Sequence, residues 1–101
     1  MRNTLMLMLL LACGLSHAAE DGAKVAAKYN CLGCHAVDKK IVGPAYKDVA
    51  KRYKGQKDAE AMLMAEVRKG LPGGKWGQIP MPAQQIEDKD LRTIIRWVLA
   101  Q

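Results

Sequence analysis

The chain has 101 residues with 16 basic and 10 acidic side chains, a formal charge of +6, three Cys, two His and no Phe. That length holds one small domain with too little apolar surface for a large core, so a staple or a bound group is expected. The basic excess suits acidic partners or an anionic surface, and the absence of a basic–aromatic recognition motif argues against nucleic acid.

Residues 1–18 read as a secretory signal peptide. Arg2 is a short positive n-region, Thr4 to Ala12 is an apolar run too short to span a bilayer, and Ser16-His17-Ala18 ends in small residues suited to a signal peptidase. Cleavage is expected after Ala18, leaving a single domain over 19–101 that begins Ala19-Glu20-Asp21 in the periplasm. The alternative is a lipid tether through Cys13, because Leu10-Leu11-Ala12-Cys13 faintly resembles a bacterial lipobox, although Leu11 fits that pattern poorly. Cleavage after Ala18 removes Cys13 and His17 and loses only Arg2 among the charged residues.

Beyond that point the signals are helical and strand signals are almost absent. Glu20 to Tyr29 carries Val25, Ala26 and Tyr29 at helical spacing, with acids at its start where the helix dipole favours them. It runs into Cys31-Leu32-Gly33-Cys34-His35, a C-x-x-C-H pentapeptide. This is the attachment signature of a c-type haem: each thiol adds across one porphyrin vinyl group, and the following imidazole is delivered to one face of the iron. Ala36 to Gly43 reads as a loop, closed by Gly43-Pro44. Tyr46 to Tyr53 reads as a short helix, with Tyr46, Val49, Ala50 and Tyr53 on one face and Gly55 as its stop. Asp58 suits the N-cap of a third helix that runs to Lys69 with Leu63 and Val67 inward and Gly70 at its end. Leu71 to Ile86 is broken by Pro72, Gly73, Gly74, Gly77, Pro80 and Pro82, while Trp76, Ile79 and Met81 argue for a loop packed onto something. A last helix capped by Asp88 carries Leu91, Ile94, Ile95, Val98 and Leu99 as one apolar stripe, with Trp97 beside it for packing between the terminal helices.

Rival readings of the pentapeptide are weaker. The expected mature domain keeps Cys31, Cys34 and His35 as its only Cys and His, one ligand short of a structural zinc site. A thioredoxin-like site would sit near a βαβ pattern that is missing here, and a structural disulfide leaves His35 without a role. A haem held by His35 needs a second axial ligand. Met62 and Met64 lie in the third helix, where Met usually fills core gaps. Met81 stands between Pro80 and Pro82, whose fixed φ angles make a stiff segment able to hold a thioether at bonding distance. Met81 is therefore the expected partner of His35.

The order and spacing of C31-L-G-C-H35, Val42-Gly43-Pro44-Ala45-Tyr46-Lys47-Asp48-Val49-Ala50, Trp76-Gly77-Gln78-Ile79-Pro80-Met81-Pro82 and Trp97-Val98-Leu99 resemble the cytochrome c-551/c-552 family of small bacterial class I cytochromes c. The resemblance implies an all-α, compact cytochrome c fold of four to five short helices wrapped around one covalent haem c. It implies a low-spin His/Met iron and a monomeric periplasmic carrier, not an enzyme, with no stable membrane insertion. Its acceptors would be respiratory enzymes such as a terminal oxidase or nitrite reductase. By the same resemblance the Pro44 carbonyl accepts a hydrogen bond from His35 and the Trp76 indole donates to a haem propionate. Two positions depart from the pattern: Gln84 stands where some relatives carry Asn beside the Met ligand, and Glu66 where relatives often carry a basic residue near a propionate.

A closed coordination sphere does outer-sphere chemistry, and Met/His ligation raises the potential. An apolar rim of Leu32, Ile41, Val42, Ile79 and Pro80 is expected at the haem edge, with Lys39, Lys40, Lys51, Lys54 and Lys75 around it to steer acidic partners. Two other functions compete: a haem enzyme or gas sensor in which Met81 is unbound, and a thiol–disulfide oxidoreductase.

Overall fold

In the computed structural model the backbone is described for residues 15–101 and side chains for residues 21–101. Most of the expected signal segment, with Cys13, lies outside the described residues. Four helices follow one another: α1 (Leu15–Lys28), α2 (Tyr46–Arg52), α3 (Ala59–Lys69) and α4 (Asp88–Leu99), with a single 3₁₀ turn at Cys31–Gly33 between the first two. Among the described residues the only bridge pairings are the isolated His35–Lys40 and Leu71–Met81, so the all-α expectation holds.

The last helix organises the rest, because α4 packs against α1, α2 and α3. Its stripe of Leu91, Ile94, Ile95 and Val98 is buried as the 3.6-residue period requires, and Trp97 is buried beside it. Trp97 fits because Gly22 has no side chain: a Cβ built there would lie 2.2 Å from the Trp97 Cβ and 2.4 Å from its Cγ. The missing methyl lets α1 and α4 cross closely, offsetting the helix propensity that Gly forgoes. Polar ties reinforce the crossings. The Tyr29 hydroxyl donates to Asp90 at 2.5 Å, and Glu60 on α3 accepts from Arg92 at 3.3 Å and Arg96 at 3.2 Å. Exposed ion pairs of this kind contribute about 0–1 kcal/mol each, so apolar burial stabilises the crossings more than they do.

The ends of the elements depart in places from expectation. α1 begins at Leu15, ahead of Glu20, since Ala18 and Ala19 are strong helix formers that extend it. It ends where Asn30 takes a left-handed backbone (φ 60°), a conformation Asn tolerates better than most residues. That turn aims the chain into the Cys pair. Asp58 occupies the N-cap position of α3 but makes no side-chain capping bond. For α4 the cap falls to Glu87, not Asp88. The Asp88 carboxylate is instead drawn across to Arg68 of α3 and lies in the first turn, where the dipole favours it.

Gly22→Ala tests the crossing. Ala gains about 1 kcal/mol of helix propensity, but the overlap with Trp97 costs about 1–3 kcal/mol. A net loss in denaturant unfolding of the holoprotein is expected; equal or greater stability would show that the two helices part without cost.

Candidate haem-binding site

Between α3, α4 and the two loops lies a cleft with about 1210 Å³ of atom-free space, open to solvent at its mouth. Its apolar wall is formed by Leu63, Val67, Leu91, Ile94, Ile95 and Val98. Cys31, Cys34, His35 and Met81 all line it, so the structure gathers the four expected attachment and ligand residues around one space.

His35 is fixed from several directions. Its Nδ1 lies 2.9 Å from the Pro44 carbonyl oxygen. A carbonyl only accepts, so Nδ1 carries the proton and Nε2 keeps its lone pair for a metal. The Pro44 role implied by the family resemblance has this geometry. The ring stacks on Tyr46 at 4.8 Å and 17°, and Tyr46 meets the edge of Trp97 at 5.4 Å. Gly43 lies beneath the imidazole, where a Cβ would come within 2.4 Å of Cε1. The Cys34 carbonyl accepts from the amides of Val42 at 3.1 Å and Gly43 at 2.8 Å, folding the loop back over the pentapeptide. Burial holds the Tyr46 phenol well above its ordinary range, so it is a neutral platform for the ring.

The Met81 segment is held by backbone. Leu71 and Met81 exchange two amide–carbonyl bonds, both 2.9 Å, and the Gln84 amide donates to the Val67 carbonyl at 2.9 Å. Gly70, with φ +81°, permits this approach: a Cβ there would lie 2.7 Å from the Met81 oxygen and 2.8 Å from the Ala83 nitrogen. The end of α3 is thus clamped to the proline-flanked Met. Gln84 turns its side-chain amide to the Pro82 carbonyl at 3.0 Å, within its own segment.

Trp76 is half-buried in the cleft wall, edge-on to Tyr53 at 6.5 Å and beneath the Arg52 guanidinium at 4.6 Å. Beside it Lys75 forms an ion pair with Glu66. Lys75 is therefore not a free member of a steering ring, because Glu66 holds its ammonium in the cleft wall. The other lysines separate. Lys40 reaches toward Gly77 at the cleft, whereas Lys51 and Lys54 line a second depression with Lys47, Leu99 and Gln101. The residues expected at the rim are exposed: Leu32, Ile41, Val42 and Ile79 by 40%, 47%, 41% and 65%, and Pro80 too; of these, Val42, Ile79 and Pro80 line the cleft.

The donor set suits a haem and little else. Among the described residues no group of three or more His, Cys, Asp or Glu could hold a bare metal ion. A porphyrin would supply four nitrogens itself, so one imidazole and one thioether lining the cleft would be enough to complete its iron's sphere. Burial pushes the Cys31 thiol up, the opposite of the depressed thiol that exchange chemistry needs.

A helical domain with this cleft and paired cysteines at its edge is a c-type haem electron carrier. The cytochrome c family model matches residues 19–101, and the chain belongs to the cytochrome c family. It is similar to cytochrome c-551 of Pseudomonas aeruginosa, 44% identical over 99 residues that cover 94% of each chain. It is also similar to cytochrome c-552 of Hydrogenobacter thermophilus, 38% identical over 99% of this chain and 98% of that one. The wild-type structure of Nitrosomonas europaea cytochrome c552 superposes with a TM-score of 0.73 at 42% identity, covering 77% of this chain and 96% of that one. The protein thus carries one covalent haem c and transfers electrons; it is not an enzyme.

A methyl at residue 43 has no room beside the imidazole. Gly43→Ala is expected to retain thioether-linked haem, to lose about 1–3 kcal/mol of stability, and to show a high-spin fraction in its absorption spectrum. An unchanged spectrum and stability would show that the loop, not the ring, gives way.

Proposed function

We propose that the chain is a periplasmic one-electron carrier with haem joined to Cys31 and Cys34 and its iron ligated by His35 and Met81. The observation that carries this reading is the pair of independent anchors in one cleft: His35 held by the Pro44 carbonyl and Met81 held by Leu71. When bound, the haem supplies a reversible Fe(III)/Fe(II) couple. Pro44 keeps the proton on Nδ1 and so strengthens donation from Nε2. Met81 offers a soft, neutral donor that favours the reduced ion, and the apolar wall disfavours the extra charge of the oxidised one. Trp76, in the cleft wall, would offer its indole N–H to a propionate.

Residues 1–18 are proposed as a signal peptide cleaved after Ala18; the n-region, apolar run and small-residue end support it, and the family match begins at residue 19. No helix among the described residues is long and apolar enough to cross a membrane. Exposed Val42, Ile79 and Pro80 in the cleft lining, with Lys40 near Gly77 and the exposed Lys39 next to it in the chain, suit a monomer that meets acidic faces of respiratory enzymes such as a terminal oxidase or nitrite reductase.

Met81→Ala tests the ligation. Covalent haem should remain, the far-red band of Met-ligated Fe(III) should vanish, the potential should fall and carbon monoxide should bind the reduced form rapidly. An unchanged band and potential would assign the ligand elsewhere. Electron exchange with an acidic redox protein should slow as ionic strength rises, since screening shortens the reach of the lysines to about 8 Å at 0.15 M. A rate constant independent of salt would remove charge steering.

A further inference from the structure

The short helix α2 stands between two hollows. Its buried Tyr46 and Val49 line the cleft. Lys47, Ala50 and Lys51 lie on another of its faces, with Lys54 in the turn that follows, at the i, i+3, i+4, i+7 spacing that brings side chains together. These four line an open depression with about 940 Å³ of atom-free space, and none of its lining residues also lines the cleft. A molecule seated in the depression therefore leaves the cleft uncovered.

The depression pairs apolar side chains with basic ones. Tyr53 and Ala59 are buried in its lining, and Ala50 and Leu99 are half-buried. Lys47, Lys51 and Lys54 are exposed around them, and among the described residues no Asp or Glu lines the space. Lys47 pairs at 2.6 Å with Asp38 of the preceding loop, but the two side chains are 58% and 73% exposed. Such a pair contributes about 0–1 kcal/mol, so a carboxylate from outside can replace Asp38 at little cost. The helix dipole accounts for Lys51 in the last turn of α2, yet Lys47 stands in the first turn, where the dipole disfavours a cation.

Concavity and charge together select the occupant. A membrane surface is broad and meets the lysines without reaching the apolar side chains between them. A single nucleic-acid strand needs exposed aromatic faces for its bases, and the one aromatic residue in this lining, Tyr53, is buried. An acidic protein segment brings carboxylates to the lysines and an apolar side chain to Ala50, Ala59 and Leu99. We propose that the depression is a second docking surface, which binds an acidic segment of a partner protein while the cleft stays open. The protein is then held by one partner while it exchanges electrons with another, a consequence that rests on the proposed haem carrier.

The probe is a synthetic glutamate-rich peptide with a central leucine, titrated into isotope-labelled holoprotein while amide NMR shifts are followed. Shifts should centre on residues 47–59 and on Leu99 and Gln101. Lys51→Glu combined with Lys54→Glu should weaken binding about tenfold or more, because two attractions become repulsions. If that variant fails to mature, Lys51→Gln with Lys54→Gln decides the matter by a smaller loss in the same direction. Lys24→Glu with Lys89→Glu makes the same change in net charge at exposed sites that line neither hollow, and should leave the affinity nearly unaltered. Reduction of the haem by a neutral hydroquinone should keep its rate when the peptide is saturating. Absent binding, shifts centred on the cleft, equal weakening in the two charge-reversed variants, or slowed reduction would overturn the proposal. Larger shifts at the same amides from vesicles of anionic phospholipid would overturn it too, and would assign the surface to lipid. The titration does not depend on the iron's ligands, so a missing far-red Met–iron band would sink the carrier reading and leave the docking result standing.

Discussion

Everything around the cleft depends on the crossing of α1 and α4 at Gly22 and Trp97. The side chain absent from Gly22 lets Trp97 sit between the helices, and Trp97 presents its ring to Tyr46, which stacks in turn on His35. A short series of aromatic contacts therefore links the helix pair to the imidazole. Aromatic pairs of this geometry contribute about 0.5–1.5 kcal/mol beyond their buried area. Their greater effect is directional, because a ring pressed between a flat platform and the Gly43 backbone has one orientation available.

The two candidate ligands are secured by different means, and the difference follows from their chemistry. Imidazole is directional and has a second nitrogen, so a single carbonyl bond at that nitrogen orients the first. Thioether sulfur has no second polar handle and flexes about several bonds. Control of a Met must come through its backbone, and Met81 has it on three counts: the paired bonds to Leu71, the close approach to Gly70 and the flanking prolines.

The readable parts of the sequence were those whose period or spacing is local. C-x-x-C-H is a covalent spacing and survives without any knowledge of the fold. The α4 stripe and the end of α3 at Gly70 follow from helical geometry and glycine's freedom at positive φ. The exposure of Leu32, Ile41, Val42 and Ile79 agrees with their places beside the pentapeptide and in the Pro-rich loop. What stayed hidden was set by contacts across the molecule. Lys75 looked like any surface lysine because nothing local reports that Glu66 stands opposite. The N-cap position of α4 falls at Glu87, which makes no side-chain capping bond, while Asp88 pairs with Arg68 of a different helix. Trp97 pointed to packing between the terminal helices, but Gly22, a helix-weakening residue inside a helical pattern, gave no sign of its part in the crossing until the contact with Trp97 was seen.

The α1–α4 contact also has a meaning for the order in which the chain assembles. α1 and α4 stand near opposite ends of the domain, so their meeting closes a loop that encloses the Cys pair, α2, α3 and the Met81 segment. The entropy of closing so long a loop grows only slowly with its length, but it must be met before the burial it enables is gained. With the haem joined at Cys31 and Cys34 as proposed, α4 would meet an apolar surface close to α1 and a nearer target for collapse. The proposed covalent bonds would thus also shorten the search by which the ends of the chain find each other.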